Sequence, residues 1–347
     1  MLRSFALTGL ALFGTLVSLA GAAPARAAED PWLTIKGEAG PGKGKQIVLI
    51  AAEQEYRAEE ALPQLARILA KRHGFNCTVL FCIDPADGTI NPTINHIPGL
   101  KKLKQADLVI LFARYLDLPD DQMKQFLEYA ESGKPILGIR TSTHAFNPTG
   151  PTYKKYGWQS KEPGFEGGWG RLVLGETWIN HHGAHAKEGT RGIPAPGQEK
   201  HPILKGIDAG SIFGLSDVYE VRLPLPGDST PVVLGQVTVT LEPNSAPVPA
   251  KNDPMMPIAW TRTYRTSTGK SARVFTSTIG AAKDLPFEGT RRLLVNGAYW
   301  ALGMEGRIPS RSNVDLVGEF NPTMFRFKKN EDWKPGIKPS QLATPGR

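Results

Sequence analysis

The chain has 347 residues, of which 40% are hydrophobic and 21% charged, a composition that indicates a globular protein with a full core and excludes a disordered one. Its 37 glycines and 29 prolines follow no repeat period, which excludes collagen-like and solenoid architectures. The net charge is +8, but the basic residues are scattered along the chain, so we expect no nucleic-acid partner.

The first residues have the three parts of a secretory signal peptide. Residues 1–3 include a positive charge, residues 4–20 have no charge, and residues 25–27 offer small side chains for cleavage. The apolar stretch is near the lower length limit of a membrane span, so a retained anchor is the alternative. We predict that residues 1–27 are cleaved on export to the periplasm or the extracellular space, which leaves a chain with no membrane partner. Residues 28–45 are then expected to form a linker.

Strands and helices alternate after this linker. An unbroken apolar run at residues 46–52 predicts a strand that is buried on both faces. Three more strands are predicted at residues 78–83, 107–112 and 134–139. The helices between them end at Gly74 and Gly133. This alternation indicates an α/β fold with a doubly wound, mostly parallel sheet.

The alternation stops between residues 147 and 197. This segment is rich in glycine and in aromatic residues, and the aromatic residues argue against disorder. Further β-like runs are found at residues 232–241, 257–263 and 272–278, and a closing helix at residues 287–302. We therefore predict a β-rich insertion within one domain at residues 46–303. The Pro-rich tail at residues 304–347 is expected to pack on this domain as an extended chain.

Charged and polar side chains follow three of the predicted strands. Ligands of a doubly wound sheet bind outside the carboxyl ends of its strands, so these side chains are expected to share one crevice. Guanidinium groups and hydroxyls suit the recognition of a carboxylate or a polyol. The alternative is that they are ordinary loop residues and structural ion pairs. The candidates are Glu53, Tyr56 and Arg57 after the first strand, Arg114 after the third, and Arg140, Ser142 and His144 after the fourth.

Three of the chain's seven histidines, His181, His182 and His185, lie close together after Asn180. Three interpretations stay open. The spacing of His181 or His182 to His185 allows a shared metal ion, although no glutamate completes an HExxH motif and Gly183 disfavours a helix. An imidazole that acts on a ligand as acid or base, with Asn180 binding ligand hydroxyls, is the second interpretation. Structural hydrogen bonding is the third, so the sequence identifies no metal and no cofactor.

Several motifs occur in an order that resembles the trehalose-utilisation (ThuA-like) family. Besides the first strand with Glu55-Tyr56-Arg57, the matching segments are residues 134–140, 167–169, 181–183, 201–207, 217–219 and 291–300. The resemblance covers about residues 46–303 and implies the flavodoxin-like fold of class I glutamine amidotransferases. The name of the family implies a role in sugar catabolism.

Two departures from the family's pattern bear on the chemistry. Amidotransferases have a cysteine at the turn after the fourth strand, where this chain has Arg140, so glutaminase chemistry through a thiolate is excluded. Many relatives have a histidine after the Tyr-Arg pair of the first loop, where this chain has Ala58. Ser142 with His144 as its base is an alternative nucleophile, but the sequence supplies no orienting acid.

Two functions from different classes follow. The first is an exported protein of carbohydrate catabolism that acts on a disaccharide or keto-sugar, with His144, His181 and His182 as candidate acid–base groups. Aromatic side chains such as Trp169 would stack on the sugar, and His185 joins the ligand-binding candidates. The second function is a non-catalytic sugar- or protein-binding module on an amidotransferase scaffold that has lost its nucleophile. The sequence leaves open whether the chain is catalytic and whether it forms a homo-oligomer.

Overall fold

The computed structural model describes residues 29–343, so the predicted signal peptide lies outside the described residues. Within this range, ten strands form one large sheet and two short strands form a second sheet. The strands are β1 (Trp32–Ile35), β2 (Gln46–Ala52), β3 (Asn76–Phe81), β4 (Leu108–Ala113), β5 (Ile136–Ile139), β6 (Asn180–His181), β7 (Gly189–Pro194), β8 (Phe213–Gly214), β9 (Tyr219–Glu220), β10 (Thr230–Thr238), β11 (Met256–Arg265) and β12 (Ser271–Ser277). The α-helices are α1 (Ala58–His73), α2 (Asp120–Ala130) and α3 (Glu288–Ala301). Every helix in residues 29–343 is too short or too polar to cross a lipid bilayer.

The large sheet is mixed, with helices on its faces. Its strand order is β1-β3-β2-β4-β5-β12-β11-β10-β7-β8. The five adjacent strands β3, β2, β4, β5 and β12 run parallel, whereas the remaining pairs are antiparallel. The chain goes from β2 outward to β3 and then returns to β4 on the other side of β2. Such a reversal opens a crevice at the carboxyl ends of the strands, and this crevice positions the candidate site.

Both faces of the parallel strands are buried. Ile47 and Leu49 of β2 belong to the apolar cluster that includes side chains of α1 and α3. Val48 and Ile50, each one residue further along, belong to the cluster that includes side chains of α2. Successive side chains of a strand point to opposite faces, so a strand between two helical layers needs apolar residues at every position. This explains the unbroken apolar run from which the strand was predicted.

Three strands of the large sheet, β1, β7 and the two-residue β8, lie where the sequence predicted none. β1 lies in the segment expected to be a linker, and its four residues are too few to show a period. β7 lies in the segment where the alternation of strands and helices stops. It contains two glycines and a proline, which are disfavoured in strands. Antiparallel pairing with β10 on one side and β8 on the other stabilises β7 in spite of its composition.

The chain after α3 runs back along the domain as an extended tail. Phe325, Trp333 and Leu342 of this tail are buried. The N–H of Arg326 donates to the carbonyl oxygen of Glu55 at 3.0 Å, which attaches the tail to the loop after β2. The tail therefore places aromatic side chains at the carboxyl end of the first parallel strand.

The side chain of Glu59, in the first turn of α1, is buried, and its burial makes the stability of the chain depend on pH. Burial raises the pKa of this carboxyl from 4.5 to about 7, and the charge of Arg57 opposes the rise only in part. The unfolded chain ionises the group near pH 4.5, but the folded chain keeps it protonated until about pH 7. Stability is therefore lost as the pH rises through this window. We expect Glu59→Gln to remove this dependence and to raise the free energy of unfolding near pH 8 by about 1–3 kcal/mol.

Urea unfolding at about pH 5 and about pH 8 measures the effect. The matched control is Glu128→Gln, because Glu128 of α2 is exposed. The control is expected to keep the pH profile of the unchanged chain. A stability difference between Glu59→Gln and the unchanged chain that is the same at both pH values would show that the prediction is wrong.

Candidate functional site

The loop after β2 is shaped by the buried carboxylate of Glu53. Its Oε1 accepts the N–H of Glu55 at 2.7 Å, and its Oε2 accepts the N–H of Tyr56 at 2.5 Å. Burial raises the pKa of Glu53 to about 8, although these amide hydrogen bonds favour the ionised form. The side chain is 0% exposed, so it shapes the loop that carries Glu55 and Tyr56 and does not face the solvent itself.

Asp217, between β8 and β9, is the centre of the site. Its side chain is fully buried and its Oδ1 accepts a hydrogen bond from Nη2 of Arg140 at 2.8 Å. Nη1 of Arg140 donates to the carbonyl oxygens of Asp217 at 2.5 Å and Thr278 at 2.8 Å, and Nη2 also donates to the hydroxyl of Tyr56 at 3.0 Å. Burial alone would raise the pKa of Asp217, but the charge of Arg140 and hydrogen bonds from two imidazoles hold it well below its usual value.

Two histidines meet this carboxylate from the solvent side. Nδ1 of His181 lies 2.6 Å from Oδ2 of Asp217, and Nδ1 of His185 lies 3.2 Å from Oδ1. The side chains of His181 and His185 are 36% and 33% exposed, so both can reach a bound molecule. The short antiparallel pair β6–β9 positions His181 opposite Tyr219 and thereby next to Asp217. We call Asp217, Arg140, Tyr56, His181 and His185 the Asp217 cluster.

A second ion pair supports the cluster. Nη1 of Arg114 donates to Oε2 of Glu55 at 2.5 Å, and Oε1 of Glu55 lies 3.4 Å from Nε2 of His185. His185 is thus held by carboxylates at both of its ring nitrogens. The tail adds apolar cover, because the ring of Phe325 lies 5.2 Å from that of His185 and Arg114 lies over the ring of Phe327 at 4.6 Å.

Arg140 has a left-handed backbone, with φ of 49°, directly after β5. Such a conformation costs free energy for a residue with a side chain, so the surroundings must hold it in place. The guanidinium is 0% exposed and lies between the rings of Tyr56 and Tyr219, at 4.4 and 3.8 Å from their centroids. The sequence placed Arg140 among the ligand-binding candidates, whereas its contacts make it the residue that orients Asp217.

An open cleft of about 580 Å³ adjoins the cluster. The ring of Trp178, which lines the cleft, lies 5.5 Å from that of His181 and 5.7 Å from that of Trp158, so an aromatic wall of the cleft packs against an imidazole of the cluster. Both tryptophans are partly exposed. We call this feature the tryptophan cleft, and its lining includes Trp158, Gln159, Arg171, Thr177, Trp178 and Arg222.

His144 lies beneath the tryptophan cleft. Its ring is 2% exposed and packs 5.2 Å from Trp178 and 5.0 Å from Tyr115. Burial, followed by the charges of Arg114 and Arg140, holds its pKa well below the usual value, so the imidazole is neutral at pH 7. Its Nδ1 lies 3.3 Å from the hydroxyl oxygen of Thr143. The structure therefore brings His144 near the cluster but gives it an aromatic environment.

Three other candidates lie in the scaffold. The hydroxyl of Ser142 donates to the carbonyl oxygen of Leu111 at 2.7 Å and so joins the turn after β5 to β4. The ring of Trp169 is 1% exposed and packs against Phe126 at 5.2 Å, which leaves it no face for a sugar. Arg57 is buried under Trp333 of the tail, 4.9 Å from the ring. The tryptophans of this segment that are partly exposed are Trp158 and Trp178 of the tryptophan cleft.

The remaining two candidates lie at the edge of the cluster. Nε2 of His182 lies 2.6 Å from the carbonyl oxygen of Lys251, so its ring is turned away from Asp217. Asn180 is exposed, and its side-chain oxygen accepts the N–H of His181 at 2.9 Å. Consecutive residues of an extended segment point in opposite directions, which explains why His181 and His182 separate.

Sequence reasoning missed four residues of the site, namely Glu55, Asp217, Trp178 and Phe325. Glu55 and Asp217 both lie in segments that the sequence singled out for the family resemblance, yet neither segment shows which side chain faces the site. Asp217 and His181 are 36 positions apart, with β7 and β8 between them, which leaves no local pattern to predict their contact.

The fold and the cluster define an α/β protein with a polar site at the carboxyl ends of parallel strands and an arginine at the turn after β5. The sequence model of the ThuA family, described as trehalose utilisation, matches residues 47–301. The chain belongs to the ThuA family. A comparison with curated proteins gives no match.

Solved structures with a similar fold include two ThuA-like proteins. The one from Parabacteroides merdae is 16% identical with a TM-score of 0.45, over 81% of this chain and 97% of its own. The one from Bacteroides uniformis is 15% identical with a TM-score of 0.47, over 81% of this chain and 95% of its own. An exo-β-1,4-mannosidase from Opitutaceae bacterium strain TAV5 is 12% identical with a TM-score of 0.33, over 76% of this chain and 36% of its own.

Proposed function

We propose that the chain is an exported protein of carbohydrate catabolism that binds a disaccharide or keto-sugar in the tryptophan cleft and acts on it through the imidazoles of the Asp217 cluster. The observation that carries this proposal is the contact of Trp178 with His181, 5.5 Å between ring centroids. It places a carboxylate-bound imidazole directly against the partly exposed aromatic wall of the cleft. The family's description as trehalose utilisation supports a carbohydrate as the ligand.

The chemistry of the cleft suits a sugar. The C–H faces of a pyranose are apolar and pack on an indole ring, which is a large and rigid contact surface. The hydroxyls of the same ring need hydrogen-bonding partners. Arg171 and Arg222 of the cleft lining offer donors, and the imidazole of His181 lies next to Trp178. With its Nδ1 held by Asp217, His181 presents Nε2 for proton transfer with a sugar hydroxyl or with a carbon next to a keto group.

Nucleophilic catalysis through a thiol does not fit the structure. Cys77 and Cys82 are buried, and burial raises the pKa of Cys82 to about 12 and that of Cys77 further. The position of the amidotransferase cysteine is taken by Arg140, whose guanidinium is bound to Asp217. The proposed chemistry is therefore proton transfer on the sugar and not formation of a thioester.

Thermal unfolding in the presence of sugars tests the proposal. We expect trehalose or its keto derivative, at concentrations far above Kd, to raise Tm by about 2–6 °C. Trp178→Ala is expected to abolish that rise, because it removes the stacking surface. Trp300→Ala is the matched control, since Trp300 is a partly exposed tryptophan of α3 outside the cleft. A rise that survives in Trp178→Ala, or none with any sugar tried, would count against the proposal.

A binding module without catalysis is the second candidate. The buried guanidinium of Arg140 and the neutral, aromatic environment of His144 favour it, because neither group is free to take part in chemistry. His181→Ala separates the two functions. If turnover of a bound sugar is lost while its affinity is retained, the catalytic proposal holds. Binding by the unchanged chain with no product formed supports the binding module.

A further inference from the structure

We propose that His181, His185 and Asp217 form a binding site for one divalent transition-metal ion such as Zn²⁺. Each residue offers one ligand atom, and these atoms all lie within 4.8 Å of one another. Metal–ligand bonds of about 2.0–2.2 Å require ligand atoms about 3.0–3.5 Å apart. Nδ1 of His181 lies 2.6 Å from Oδ2 of Asp217, the oxygen that Arg140 does not bind, and Nδ1 of His185 lies 3.2 Å from Oδ1, so small side-chain adjustments reach that spacing.

The outer contacts orient the ligands as a metal site requires. Metal-binding histidines usually donate their second ring N–H to a carboxylate, which fixes the tautomer and the direction of the ring. Nε2 of His185 lies 3.4 Å from Oε1 of Glu55, and Glu55 is itself held by Arg114. With its N–H held at Nε2 by Glu55, His185 would bind the metal through Nδ1 in place of its hydrogen bond to Asp217. Arg140 binds one oxygen of Asp217, which leaves the other oxygen for a metal ion.

The donor set selects the class of metal. Two of the three ligand atoms are imidazole nitrogens, which suit zinc and its first-row neighbours. Calcium and magnesium prefer six or more oxygen ligands with net negative charge. Here Arg140 and Arg114 neutralise the carboxylates of Asp217 and Glu55. The site therefore favours a transition metal over these hard cations.

The coordination would be incomplete, as in catalytic sites. Three protein ligands leave at least one position for water or for an oxygen of a bound ligand. Both imidazoles are about one-third exposed, so this position is open to solvent, and His181 lies next to Trp178 of the tryptophan cleft. A metal ion held there would lower the pKa of a coordinated water, and the hydroxide left after that water loses its proton would be the proton acceptor in place of His181. The inference rests on the geometry of three side chains and does not depend on the identity of the sugar.

The test uses the full chain, treated with a chelator, dialysed and titrated with ZnCl₂ in a calorimeter. We expect about one equivalent of zinc per chain, and elemental analysis after dialysis is expected to agree. His181→Ala and His185→Ala should each weaken zinc binding at least about 10-fold. Glu55→Gln should also weaken it, because Glu55 orients the ring of His185. His182→Ala is the matched control, because its ring is bound to the Lys251 carbonyl and is expected to leave the affinity unchanged.

Two results would overturn the inference. One is an unchanged chain that takes up neither zinc nor manganese at millimolar concentration. The other is binding that persists in both His181→Ala and His185→Ala or that falls in His182→Ala. Both single-histidine variants remove partly exposed side chains, so the test does not depend on the more disruptive Asp217→Asn. Sugar binding is measured separately, so failure of the metal site and failure of the proposed function are distinguishable.

Discussion

Arg140→Met is expected to lower the free energy of unfolding by about 3–5 kcal/mol, because it leaves the buried carboxylate of Asp217 without its cation. The pair is fully buried, at 2.8 Å, and the same guanidinium satisfies the carbonyl oxygens of Asp217 and Thr278. Methionine fills much of the space but donates no hydrogen bond. Urea unfolding of the two proteins at neutral pH measures the loss.

Arg140→Lys is the matched control for this prediction. Lysine keeps the positive charge, and the left-handed backbone at this position strains it as much as it strains arginine. Its single ammonium group, however, cannot donate to every oxygen that the planar guanidinium binds. We expect it to cost less than Arg140→Met. The double variant Arg140→Met with Asp217→Asn is expected to be less destabilised than the sum of the single variants, since both charges are gone. Strict additivity would contradict the account of Asp217 as a carboxylate stabilised by Arg140.

Asp284→Ala is expected to have the second large effect, a loss of about 3–5 kcal/mol of stability. Its fully buried carboxylate accepts hydrogen bonds from the amides of Ser216, Gly280 and Ala281 and from the Ser216 hydroxyl, at 2.5 to 3.1 Å. It therefore joins the loop after β12 to the segment that carries Asp217. Alanine leaves these buried donors without an acceptor.

The control for Asp284 is Ser216→Ala, which removes only the hydroxyl hydrogen bond and is expected to cost about 1 kcal/mol. The difference between the two variants is measured by urea unfolding under one set of conditions. A loss for Asp284→Ala no larger than that of Ser216→Ala would show that the amide contacts do not stabilise the loop. In that case the hydrogen bonds of Asp284 would not explain the position of Asp217.

The parallel half of the sheet could be predicted from the sequence, whereas the antiparallel half could be predicted only in part. β2 and β4 are buried on both faces and therefore have long apolar runs. β1 has only four residues and β7 contains glycine and proline, so their pairing depends on neighbours that are distant in the sequence. Local patterns cannot show such pairing.

The site could be located from the sequence, but its internal contacts could not. The sequence predicts that Arg114 and Arg140 reach one crevice, because they follow neighbouring parallel strands. Their partners Glu55 and Asp217 are 59 and 77 positions away, in irregular segments. For the same reason the sequence could not show that Trp169 is in the core and that the exposed aromatic surface lies elsewhere in the same segment.

The central claim is that a sugar binds in the tryptophan cleft beside the Asp217 cluster. A crystal structure of the full chain with trehalose or its keto derivative tests this most directly. The account predicts a sugar ring stacked on Trp178, with a hydroxyl within hydrogen-bond distance of the His181 imidazole. A sugar bound only in the cavity of about 420 Å³ between α1 and the tail, lined by Pro63 and Trp333, would contradict it.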